Sequence, residues 1–159
     1  MATTPAALEL SAAELGAWRG FLRVHSALAK ALDAELQAAH GVPLSSYEVL
    51  ITLRSAPDRR LRMAELADRV LLSRSGMTRL VDRLEREGML ERDKCSSDAR
   101  GYFAVLTSKG EALLAAARPT HLGGVRERFL GHFAADELAT MAHWWDRLVP
   151  GAEDLSHLD

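Results

Sequence analysis

A chain of 159 residues, 48% of them hydrophobic, is the size of one domain and can bury a core, which excludes a disordered tail and a small stapled scaffold. No stretch reaches the ~18 to 20 uninterrupted apolar residues of a membrane span, and the opening MATTPAALELSAAELG lacks the basic start and apolar middle of a secretory signal, so a cytoplasmic protein is expected. The net charge of -2 hides an uneven distribution: residues 54–100 hold twelve Arg or Lys against nine Asp or Glu, while the rest of the chain holds eight against thirteen. The single cysteine, Cys95, can build neither an internal disulfide nor a thiolate metal cage.

Ser11 with Glu14 three residues later forms the reciprocal arrangement that satisfies two free amides at a helix start. Trp18, Phe21, Leu22, His25, Leu28, Leu32 and Leu36 then recur at steps of three and four, which predicts a long amphipathic helix ending near His40 and Gly41. A second such pair, Ser45 with Glu48, is expected to open the next helix, with Tyr47, Leu50, Ile51 and Leu53 turned inward. SAPDRR reads as a loop, and Met63, Leu66, Ala67 and Val70 mark a short helix.

With Ser73 as N-cap, the following segment sorts Met77, Leu80, Val81 and Leu84 onto one face at helical spacing. Arg74, Ser75, Thr78, Arg79 and, a turn later, Arg83 fall away from that face. A short helix, a turn and this second helix make a helix-turn-helix, whose second helix lies in the DNA major groove with its first residues against base edges. Arginine can donate two parallel hydrogen bonds to guanine, Ser and Thr can reach bases or phosphates, and Gly76 permits close approach. The free amides at the helix start favour a phosphate. An exposed Arg/Ser face without a ligand is the other reading of the same residues.

From Met89 onward MLERDK and GYFAVL have strand-like composition and are joined by CSSDAR, which favours a turn; together they predict a β-hairpin. Behind a recognition helix such a ribbon is a wing, able to place Arg100 in the adjacent minor groove, with Asp98 orienting the guanidinium or capping the turn. Thr107 is expected to cap a helix through SKGEALLAAAR that Pro119 should interrupt or kink. Helix then resumes to about Phe133, and a last helix runs from Asp136 to Leu148 with Leu138, Met141, Trp145 and Leu148 on one side.

Residues 44–110 resemble the winged helix of the MarR family of multiple-antibiotic-resistance regulators, on the strength of LSSYEVLITL, RMAELADRVLLSRSGMTRLVDRLEREGML, Asp98-x-Arg100 and Leu106-Thr107-x-x-Gly110. The resemblance implies a mainly α fold with a small β-hairpin: a winged helix-turn-helix over residues 44–107, flanked by dimerisation helices in residues 1–43 and 108–159. It implies a homodimer on a pseudo-palindromic operator in double-stranded DNA, acting as a nucleoid-associated transcriptional repressor. It places Arg74, Ser75, Thr78 and Arg79 on the DNA-reading face and Arg100 at the wing tip. Release by a small aromatic or phenolic effector is a further implication, with Trp18, His25 and Tyr47 as candidate lining and a core role for each as the alternative.

Cys95 stands where a redox switch is conceivable, although an incidental thiol is the simpler account, since peroxide-sensing relatives carry theirs in the N-terminal helical region. His121 and His132, ~16 Å apart on a continuous helix, cannot share an ion. With no catalytic triad, phosphate-binding glycine loop or paired-carboxylate motif, the chain is read as neither an enzyme nor a cofactor protein. The competing reading is a winged-helix protein-interaction module without DNA binding, favoured by the overall acidity.

Overall fold

The structure, a computed structural model, describes residues 9–70, 74–94 and 101–150. Helix α1 (Ala12–His40) begins as its sequence predicts, with the Ser11 amide donating to Glu14 Oε2 at 2.8 Å and the Glu14 amide donating to Ser11 Oγ at 3.2 Å. It ends at Gly41, whose φ of 66° is a left-handed conformation that costs glycine little.

Helix α2 (Leu44–Arg54) starts two residues earlier than expected, and its cap is not local. Pro43 supplies a fixed φ of -62° but no capping side chain, and the Leu44 amide instead donates to Asp33 Oδ1 of α1 at 2.8 Å. Ser45 therefore lies inside the helix and does not form the expected capping box with Glu48, and a carboxylate eleven residues upstream satisfies the first amide. Tyr47, Leu50 and Leu53 are buried and Ile51 is half-buried, and Val49 joins them in the core.

The segment read as a loop runs at Arg60 into a strand that the sequence reading does not assign. After a tight turn at Pro57–Arg59, β1 (Arg60–Arg62) pairs antiparallel with β3 (Tyr102–Leu106), which also pairs with β2 (Leu90–Lys94). The predicted hairpin is thus part of a three-stranded sheet of order β1-β3-β2. Three residues with one inward side chain, Leu61, are too short to show alternation, so β1 depends on a ready partner edge.

Helix α3 (Met63–Arg69) precedes α4 (Arg74–Arg86), and Met77, Leu80, Val81 and Leu84 of α4 enter the core as the spacing requires. The Ser73 cap and the turn over residues 95–100 lie outside the described residues. Thr107 then closes the sheet onto α5 (Ser108–Arg128): its Oγ1 accepts from the Gly110 amide at 3.1 Å and donates to the Gly88 carbonyl at 2.7 Å. A Cβ on Gly110 would sit 2.2 Å from the Met89 carbonyl oxygen, so this position admits only a hydrogen.

Pro119 does not interrupt α5. It and Ala115, whose carbonyl it leaves without an amide donor, both lie on the exposed side, where water can take that carbonyl, while Leu114, Ala117 and Gly124 hold the other side against the body of the chain. At Gly124 α5 lies close against α1: a Cβ there would meet Glu35 Oε2 at 2.3 Å and Leu32 Cδ2 at 2.7 Å. Helix α6 (Ala135–Leu148) buries no residue, and Trp144, Trp145 and Leu148 are exposed, as are Trp18, Phe21, Leu22 and Val24 at the start of α1.

Two glycine substitutions should act in opposite directions. Gly110→Ala must push the Met89 backbone aside and should cost ~1 to 3 kcal/mol, whereas Gly16→Ala, in open space on α1, should stabilise by ~0.5 to 1 kcal/mol. Urea unfolding midpoints check both signs.

Candidate nucleic-acid interface

Helix α4 is strongly two-sided. Burial of Met77, Val81 and Leu84, each at most 1% exposed, fixes which way it faces and leaves Thr78 and Arg79 in solvent. Arg74 and Ser75 occupy its first turn. Four of the residues predicted to read DNA therefore share one short helix, and two of them, Thr78 and Arg79, are at the surface. Ser73, Asp98 and Arg100 lie outside the described residues.

Arg83 behaves differently from its neighbours on the polar side. Its Nη2 donates to Ser46 Oγ of α2 at 2.6 Å, and the guanidinium is half-buried. Arg79, Arg83 and Gly76 line a groove of about 260 Å³ with Ser45 and Leu80, between the start of α2 and α4.

Sequence reasoning missed the residue that fastens the sheet to α4. Arg92 of β2 donates from Nη2 to Asp82 Oδ1 at 2.5 Å, from Nη1 to Glu85 Oε2, and from its backbone amide to Glu85 Oε1 at 3.1 Å. Both carboxylates project from the α4 flank facing the sheet, and a guanidinium held by two anions resists displacement better than an isolated surface pair. The sign was visible only as a D-R-L-E run followed by an arginine, a pattern common on solvated helices. On the opposite edge, Arg60 pairs with Asp93 at 3.3 Å, and its Cζ lies 4.1 Å from the Phe103 ring centroid, so the sheet carries arginines on a stacked aromatic support.

The three candidate effector residues divide into two groups. Trp18 and His25 flank Phe21 along exposed α1, with ring centroids 6.3 Å and 6.4 Å from it, and Phe21 touches Trp145 of α6 at 5.7 Å. Tyr47 is buried against His121 of α5, centroids 4.6 Å apart. Burial pushes the Tyr47 hydroxyl above its ordinary range, partly offset by Arg118 and Arg54, and burial holds the His121 imidazole below the usual histidine value, partly offset by Glu35. His121 Nδ1 is buried without a hydrogen-bond partner.

A short helix, a recognition-type helix and a sheet fastened to it by Arg92 define a winged helix-turn-helix. Residues 40–101 match the sequence profile of the MarR family. The chain superimposes on the crystal structure of Sco3205, a MarR family transcriptional regulator from Streptomyces coelicolor in complex with DNA, with a TM-score of 0.84 and 34% identity over 90% of each chain. AbsC, another MarR family transcriptional regulator of that organism, aligns with a TM-score of 0.80 and 34% identity over 93% of this chain and 97% of its own. The HTH-type transcriptional repressor YetL of Bacillus subtilis is 32% identical over 88 residues, 55% of this chain and 53% of YetL. The chain spans about half the length of the curated relatives it matches. It belongs to the MarR family.

The depressed His121 value has a determined sign. An unfolded histidine takes a proton near pH 6.5, ~6.5 being its ordinary value, while the folded one resists protonation to lower pH, so stability falls as pH drops from about 6.5 toward the folded value. His121→Gln should flatten the pH dependence of the urea midpoint between pH 7.5 and about 5; an unchanged slope would assign the titration elsewhere.

Proposed function

We propose that the chain is a homodimeric transcriptional repressor that binds a pseudo-palindromic operator in double-stranded DNA and is released by a small aromatic or phenolic effector. The observation that carries the DNA reading is the orientation of α4, whose leucine face is buried and whose Thr78 and Arg79 are exposed. Arg74, Ser75, Thr78 and Arg79 would lie against base edges and phosphates, and Arg100, oriented by Asp98, would enter the adjacent minor groove. The DNA-bound state of Sco3205 and the repressor designation of YetL support this reading. Binding would be non-enzymatic.

Two-fold pairing would involve residues 1–43 and 108–159. Helix α6 has no fully buried residue yet presents Trp144, Trp145 and Leu148, and the start of α1 presents Trp18, Phe21, Leu22 and Val24 beside it. Contiguous apolar surface of this extent is characteristic of subunit interfaces. Such a pair would set two recognition helices ~10 to 10.5 bp apart.

Operator binding should weaken steeply with salt as counterions are released. Arg79→Ala should cost ~1 to 3 kcal/mol at the operator and relax preference at one base pair, while Arg100→Ala should weaken binding with a smaller effect on sequence preference. Polarisation titrations at several salt concentrations check these effects. Equal binding by wild type and Arg79→Ala would remove Arg79 from the interface, and no binding to genomic DNA at low salt would favour the protein-interaction module instead.

The effector reading places the ligand between the dimer helices and the winged domain, among Trp18, His25 and Tyr47. A panel of simple phenols and aromatic carboxylates should quench or shift tryptophan fluorescence, and Trp18→Phe with His25→Ala should weaken that response at least several-fold. Unchanged ligand binding in the double variant would move the site elsewhere.

A further inference from the structure

Ser46 is the one buried polar residue among the described residues, 1% exposed, in the first turn of α2. Its hydroxyl receives the Arg83 guanidinium at 2.6 Å across 37 residues of sequence. A buried hydroxyl left without a partner is destabilising, so this contact is costly to break from either side. The turn of α2 that carries Ser46 is itself fixed from α1: Gln37 Nε2 donates to Asp33 Oδ2 at 2.7 Å, and Asp33 Oδ1 accepts from the Leu44 amide at 2.8 Å. Polar contacts joined through the backbone of residues 44–46 therefore run from α1 through the start of α2 to the last turn of α4.

Resting on the regulator reading above, we propose that Ser46 and Arg83 are positioning residues for operator recognition: Arg83 acts through Ser46 to set how α4 is held, not as a phosphate contact of its own. Arg79, one turn earlier and exposed, depends on that setting because it shares the rigid helix. Arginine suits the task because its planar fork, anchored by one nitrogen, keeps the remaining donors at a fixed angle. A small tilt of α4 would leave the electrostatic attraction to any duplex almost unchanged while moving base-reading side chains out of hydrogen-bond range.

The two roles of Arg83 differ in a quantity other than affinity. Losing a phosphate contact reduces the slope of log K against log salt by ~0.9. Loss of a brace leaves that slope in place and lowers the ratio of specific to non-specific binding. Wild type, Ser46→Ala, Arg83→Met, the double variant and Ser46→Thr are titrated against an operator fragment selected from genomic DNA and against a random duplex, over a series of salt concentrations. Ser46→Ala should weaken operator binding about tenfold with random-duplex binding and salt slope unchanged, Arg83→Met should behave alike, and the double variant should be no worse than Arg83→Met. Ser46→Thr, which keeps the hydroxyl, should recover most of the loss. A reduced slope for Arg83→Met beside wild-type operator binding by Ser46→Ala would overturn the proposal, as would equal losses on operator and random duplex that track a lowered thermal midpoint. A wild-type protein that binds no duplex at all would overturn the regulator reading and the positioning role with it, a result distinct from any difference among the variants.

Discussion

The arrangement depends on one constraint: a thirteen-residue helix, α4, must bury Met77, Leu80, Val81 and Leu84. A helix of this length is marginal by itself in water and takes its stability from packing. Its orientation is therefore a consequence of core burial, and the exposed side is whatever the leucines leave. Rotating the helix by one residue, about 100° on the wheel, would expose leucine and bury arginine, so the polar face is protected by the cost of desolvating charge as well as by apolar burial.

Two polar attachments also hold α4, from different sides. Arg92 binds Asp82 and Glu85 and carries the sheet with it, and Arg83 reaches Ser46 in α2. Behind the sheet, Thr107 and Gly110 join β3 to α5, with the Thr107 hydroxyl capping α5 and donating to the Gly88 carbonyl. The residues that give the Leu106-Thr107-x-x-Gly110 pattern its character are thus architectural: one is buried, one caps, and one leaves room for the Met89 carbonyl.

The long helices follow a different logic. Leu32 and Leu36 of α1 are buried in the subunit, and Gly124 of α5 allows close approach at Leu32 and Glu35. The earlier turns of α1, with Trp18 and Phe21, project beyond that contact toward Trp145 of α6. One apolar stripe therefore serves two surroundings, the subunit core at its C-terminal end and an uncovered aromatic surface at its N-terminal end.

Much of this was readable from the chain, because regular helices repeat their own geometry: the Ser11 cap, the Gly41 stop, the inward face of α4 and the Thr107 cap all depend on residues within four positions of one another. The polar stripe with Thr78 and Arg79 was legible for the same reason, being the complement of a local apolar spacing. What the tertiary structure decided lies in contacts between residues far apart in sequence. Asp33 took the Leu44 amide at a helix start that Ser45 was expected to cap, β3 turned Arg60–Arg62 into a strand, α5 continued through Pro119 with its other side packed, and Ser46 accepted a hydrogen bond from Arg83 of the polar stripe. A hydrogen bond between distant residues leaves no periodic trace in sequence, since its partners share only a meeting point that exists once the chain has folded.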